Sequence, residues 1–225
     1  MNGYFFLIII IGLAGLIVQA RLQSVINKYS KKMFAGGMTG REVAEKMLYD
    51  NGIRDVKVVA ARGMLTDNYN PRTKTINLSE NVYNSNSVAA AAIAAHECGH
   101  AVQHAYGYGP LQMRSALVPV ISFTSMWSVW VVIIGLTIIR TMPAVFWIGI
   151  SMIALSAIFS VITLPVEYNA SARAVAWLEK SGTLNQTQLD EAKEALSWAA
   201  RTYLVAAISS IAILIYYLGL GSRRS

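Results

Sequence analysis

Four long apolar runs divide the chain, and the stretches between them carry ordinary polar and charged residues. The runs cover Tyr4 to Ala20, Leu117 to Ile139, Ala144 to Val166 and Tyr203 to Leu220. Each is about 17–23 residues long, which matches a hydrocarbon core about 30 Å thick. Only Arg140-Thr141-Met142-Pro143 separates the second run from the third, so these two read as a membrane hairpin. The pattern predicts an α-helical integral membrane protein with four transmembrane helices: helix 1 over 4–20, the hairpin of helices 2 and 3 over 117–166, and helix 4 over 203–220. The first run reads as a retained helix. Its basic residues Arg21, Lys28, Lys31 and Lys32 follow it, the reverse of a secretion signal.

The intervening patterns predict folded structure. Thr39-Gly40-Arg41-Glu42 is a capping box that opens a helix, and Asn51-Gly52 closes it. Val56, Val58 and Ala60 alternate with their neighbours as in a strand. Leu65 to Tyr69 and Lys74 to Leu78 flank Asn70-Pro71-Arg72-Thr73 and read as a β-hairpin. Ser85 or Ser87 caps an Ala-rich helix that ends at Gly107 or Gly109. Segment 21–116 therefore forms a small α+β domain. Segment 167–202 holds a helix from Glu167 to near Gly182 and another starting at Thr187, which runs on through the last apolar run.

Charge orients this arrangement. Of 225 residues, 55% are hydrophobic and 14% charged, against about 25% charged in soluble domains. Lys and Arg number twelve in 21–116 and four in 167–202, while Arg140, Arg223 and Arg224 lie on the opposite side. An excess of basic residues marks the cytoplasmic side. The expected location is the cell (inner) membrane, multi-pass, with both larger segments in the cytoplasm. The net charge of +7 is assigned to the lipid bilayer as partner, because the bases cluster beside the spans and no motif supports nucleic-acid binding. The single cysteine, Cys98, excludes an internal disulfide and a cysteine zinc site.

His96-Glu97-Cys98-Gly99-His100 carries the chemistry. On a helix, positions i and i+4 share a face, so His96 and His100 can reach one Zn²⁺ ion. Glu97 between them is placed to take a proton from the attacking water and return it to the leaving amine. Cys98 faces away from that stripe and reads as a packing residue. A catalytic zinc site needs a third protein ligand and one open position. The sequence after the motif is Ala101-Val102-Gln103-His104, so a third histidine three residues past a glycine is missing. His104, eight residues from His96, lies about 12 Å along a straight helix and reads as a packed or interfacial histidine. Glu167 is the better ligand. It follows the third apolar run, an even number of spans separates it from His96, and both lie near the membrane surface. Ser171 shares its face at i+4, and Asn169 and Arg173 form a second i, i+4 pair. Arg173 supports Glu167, stabilises an oxyanion or anchors the helix to lipid headgroups.

At these residues the chain resembles a known family. HECGH after LTDNYNPRTKTINLSENVY, and then LPVEYNASARA, is similar to the YugP-type membrane zinc metallopeptidases of bacteria. The resemblance covers nearly the whole chain and implies zinc, membrane residence and a site of two His and one Glu. More remotely the chain is similar to HtpX-type peptidases, whose later motif has Asp where this chain has Ser171. Asn169 or Ser171 is left to take that carboxylate's place.

The expectation is therefore a zincin-like α+β cytoplasmic domain on four spans. His96, His100 and Glu167 hold Zn²⁺ and Glu97 acts as base and then acid. Peptide or protein substrates, membrane-proximal or misfolded, are hydrolysed without a covalent enzyme intermediate. Strand Thr75-Ile76-Asn77-Leu78 is expected to hold a peptide by strand addition. The alternative is a non-proteolytic zinc-binding membrane scaffold or assembly protein, disfavoured because structural zinc takes four ligands.

Overall fold

The computed structural model describes residues 2–34, 37–63 and 66–221. Among these residues the elements run α1 (Asn2–Tyr29), α2 (Gly40–Asp50), β1 (Lys57–Ala61), β2 (Asn68–Asn70), β3 (Thr75–Ser79), α3 (Glu80–Tyr83), α4 (Val88–Ala105), α5 (Gly109–Thr137), α6 (Pro143–Lys180) and α7 (Gln186–Gly221). The chain divides into two compact units. One comprises Met1–Ile17, Met113–Leu164 and Thr202–Ser225, the other Val18–Gln112 and Pro165–Arg201.

In the first unit, α1, α5, α6 and α7 are helices long and apolar enough to cross a membrane. Several of their hydroxyls are satisfied within their own helices. Ser122, Ser151, Ser156, Ser160 and Thr163 each donate to the carbonyl four residues earlier, the arrangement an apolar surrounding demands. Large apolar side chains such as Leu16, Phe123, Met126, Trp130 and Ile148 stand exposed. Helices α5 and α6 pack closely around Phe146, where a Cβ on Gly135 would come within 2.5 Å of the Phe146 backbone.

The second unit is built around α4. Helix α2 opens with the Thr39 capping box, in which the Thr39 hydroxyl accepts from the Glu42 amide and the Glu42 carboxylate accepts from the Thr39 amide at 2.7 Å. The strands form one sheet in the order β1-β3-β2. Strand β3 is parallel to β1, with Lys57 opposite Thr75, and antiparallel to β2, with Asn70 opposite Thr75. The hairpin turn is set by Asn70, whose side-chain oxygen accepts from the amides of Arg72 and Thr73. The described first strand of the hairpin is Asn68–Asn70, and Leu65 lies outside the described residues. The strand expected to add a peptide, Thr75–Leu78, is instead the central one: Thr75, Ile76 and Asn77 are paired on both sides and Leu78 with β1, so it is not an edge strand.

Ser87 caps α4 by accepting from the Ala90 amide. The alanines that follow have high helix propensity and small side chains, so α4 sits in the core with Ala91, Ala92, Ala94 and Ala95 fully buried. Gly107 ends the helix in the left-handed conformation, at φ 65°, where a side chain would be strained. Val43, Met47, Ile76, Leu78, Val102, Leu178 and Leu189 complete this core. Each large side chain contributes about 1.5–3 kcal/mol by leaving water. The Tyr29 hydroxyl donates to Glu194 and Lys32 pairs with Glu191, tying the end of α1 to the start of α7.

Candidate metal centre

Helix α4 presents His96 and His100 one turn apart, their rings 4.8 Å between centroids and nearly perpendicular. The segment of α6 after Pro165 faces them. Gly99 sets that approach, because a Cβ there would lie 2.5 Å from the Ala170 carbonyl oxygen. With glycine in place the helices close, and Glu167 Oε2 comes to 3.2 Å from His96 Nε2 and 3.6 Å from His100 Nε2. Glu167 is 1% exposed. The three donor atoms lie within 4.8 Å of one another.

These donors fit a zinc ion. Ligands 2.0–2.1 Å from a tetrahedral ion stand about 3.3 Å apart, close to the spacings between Glu167 and the two imidazoles. Two imidazoles and one carboxylate leave one coordination position open, as a hydrolytic site requires.

Glu97 is buried next to this cluster. Burial pushes its carboxyl up to about 7. His96 and an amide hydrogen bond from Tyr69 pull it down, while the negative charges of Glu167 and Asp67 push it further up. Tyr69 lies in the middle of β2, so the backbone of the hairpin strand lies beside Glu97. Asp67, at the entry to β2, accepts from the amide and hydroxyl of Ser79 and pins this strand to the end of β3. The Tyr69 hydroxyl bonds His104 Nδ1 at 2.7 Å, and burial raises that phenol to about 12.

The remaining candidates separate into distinct roles. Ser171 meets His96, with its Oγ 3.1 Å from Nδ1. Asn169 accepts from Arg173 Nε at 2.8 Å, and the Arg173 guanidinium also lies over the Tyr106 ring. His104 pairs with Tyr69. Cys98 points to the Ala44 carbonyl in the core, where burial raises its thiol well above the usual range.

Sequence reading missed Gln103. Its side chain is fully buried, bonds His100 Nδ1 through Oε1 at 3.0 Å, and donates from Nε2 to Val166 O and Asn169 Oδ1. The available signal was a polar residue three positions after His100 on an alanine-rich helix.

The chain matches the family described as "putative neutral zinc metallopeptidase" over residues 4–221. It is 37% identical over 193 residues to the "putative membrane protease YugP" of Bacillus subtilis (strain 168), a match spanning 86% of this chain and 85% of that protein. No solved structure matches it. The cofactor is zinc, and the buried group of His96, His100 and Glu167 can hold a metal ion.

Proposed function

Because the chain belongs to this neutral zinc metallopeptidase family, we propose that it is a membrane-bound endopeptidase hydrolysing peptide bonds at His96, Glu97, His100 and Glu167. The observation that carries this reading is the meeting of two imidazoles from α4 and a carboxylate from α6 within 4.8 Å, with buried Glu97 responding to the charges of His96 and Glu167.

Zinc held there supplies Lewis acidity, polarising a carbonyl oxygen and making water easier to deprotonate. The chain's own residues do the rest. Glu97 takes the proton from the attacking water and delivers it to the departing amine. The Tyr69 backbone lies beside Glu97, and Ser171 steadies the His96 ring. No side chain forms a bond to the substrate.

Substrate enters beside β2, an edge strand of the sheet whose Tyr69 already touches Glu97. An extended peptide can pair there, in place of the central strand. The spans 4–20, 117–166 and 203–220 sit in the cell membrane, and segments 21–116 and 167–202 face the cytoplasm, as the Lys and Arg distribution supports. Glu167 stands just past an apolar run, which favours membrane-proximal or misfolded substrates.

The test compares wild type with Glu97→Gln in detergent, measuring zinc content and cleavage of unfolded casein. Both should carry about one zinc, and the variant should cleave about 10²–10⁴-fold more slowly. Equal cleavage by both would remove Glu97 from its role. A wild type that binds zinc but cleaves neither casein nor a membrane-tethered reporter would favour the scaffold reading.

A further inference from the structure

We propose that Gln103 is a positioning residue that fixes a proton of His100 on Nδ1 and so reserves Nε2, on the side of Glu167, as the nitrogen that binds a cation. The inference rests on the metal-centre reading above. The hydrogen-bond network around Gln103 allows only one arrangement. A glutamine side chain has one acceptor oxygen and one NH₂ group with two protons. Gln103 Nε2 lies 2.8 Å from Val166 O, a backbone carbonyl that can only accept. It also lies 3.1 Å from Asn169 Oδ1. That oxygen is itself held in place by Arg173 Nε at 2.8 Å, a group that only donates and is always protonated.

Turning the Gln103 amide over would set its oxygen against two other oxygens in a site where it is 0% exposed. Such an unsatisfied buried arrangement costs about 1–3 kcal/mol per group. Oε1 must therefore face His100 Nδ1, 3.0 Å away. An oxygen that only accepts requires the proton to be on Nδ1. In the neutral imidazole that a metal ligand requires, which carries one N–H, the lone pair is then on Nε2, and this nitrogen faces Glu167 Oε2 at 3.6 Å. Two lone pairs directed at one point make a site for a cation. His96 has no such lock, because its Nδ1 partner is the Ser171 hydroxyl, which can either donate or accept.

The same side chain also ties α4 to α6 at Val166, the residue before Glu167. Gln103 thus registers two donors from two helices. Arg173 anchors this chain of bonds through Asn169.

Gln103→Met keeps the length and removes every hydrogen bond. The experiment measures zinc affinity of purified full-length wild type and variant by chelator competition at fixed pH. Alongside it, ¹⁵N-histidine spectra of the metal-free proteins report which ring nitrogen is protonated. The chain has three histidines, and the His100 signals are identified by their loss in His100→Asn. Wild type should show His100 protonated at Nδ1. Gln103→Met should lose that signature and bind zinc about 10–100-fold more weakly. Wild-type affinity together with an unchanged His100 signature in the variant would overturn the lock. A wild type that takes up no zinc would instead overturn the metal centre itself. If Gln103→Met fails to fold, Asn169→Ala replaces it. This change releases one donor contact of Gln103 and should weaken zinc by up to about 10-fold; no change there overturns the lock.

Discussion

All twelve acidic residues and all three histidines of the chain lie in the unit formed by 18–112 and 165–201, and none lies in the unit of apolar helices. Both units nevertheless contain helices that look apolar in sequence. Helix α1 leaves Leu13, Leu16 and Ile17 at 53%, 69% and 68% exposure, whereas α4 buries Ala91, Ala92, Ala94 and Ala95 completely. The difference lies in side-chain size and in what the helix carries. Large apolar side chains projecting outward suit an apolar surrounding such as lipid. Small ones let neighbouring backbones close in, so that a few polar groups can be desolvated and paired. Helix α6 contains both characters. Ile148, Ile158 and Val161 are exposed, whereas Val166, Glu167, Ala170 and Ala174 are buried.

The comparison breaks most visibly with a charge placed on α1. Leu13→Asp on a water-facing surface would cost almost nothing. In a bilayer-spanning helix it should oppose insertion by about 3 kcal/mol, read as a loss of membrane-integrated protein in a translocation assay. Unchanged integration would remove the first span. The next effect concerns the buried acid of the other unit. In the metal-free protein the Glu97 carboxyl sits at about 7 against an ordinary 4.5. A folded value above the unfolded one means the stabilisation is complete below 4.5 and disappears as pH rises through about 7. Metal-free wild type should therefore lose about 2.5 kcal/mol of stability between about pH 5 and about pH 8. Glu97→Gln should escape that loss, which melting curves at the two pH values would report. Smallest is the effect of one methyl group. Gly99→Ala places a Cβ 2.5 Å from Ala170 O, while Gly12→Ala in α1 meets nothing within 4 Å. The first should cost about 2 kcal/mol and weaken zinc binding by spreading α4 from α6. The second should cost no stability and leave zinc affinity unchanged.

Local signals carried much of this into the sequence. The Thr39 capping box, the Ser87 cap and the glycine after α4 each act within a few residues, and each is in place. The grouping of His96, His100 and Glu167 was readable because two donors share a helix face and the third follows an apolar run. The sheet order was not readable. The parallel pairing of β1 with β3 joins segments separated by the whole hairpin, and no local pattern encodes it. Gln103 was hidden for a related reason, since its bonds to Val166 and Asn169 exist only once α6 lies against α4. The continuity of α6 through Glu167 was obscured by the change from apolar to polar composition, although the helical period continues unbroken.

The most direct measurement is the zinc retained after desalting by purified wild type and by Glu167→Ala, side by side. Wild type should hold about one zinc per chain and the variant should lose it, because two imidazoles on one helix cannot complete the site alone. Full zinc retention by Glu167→Ala would contradict a metal centre shared between α4 and α6.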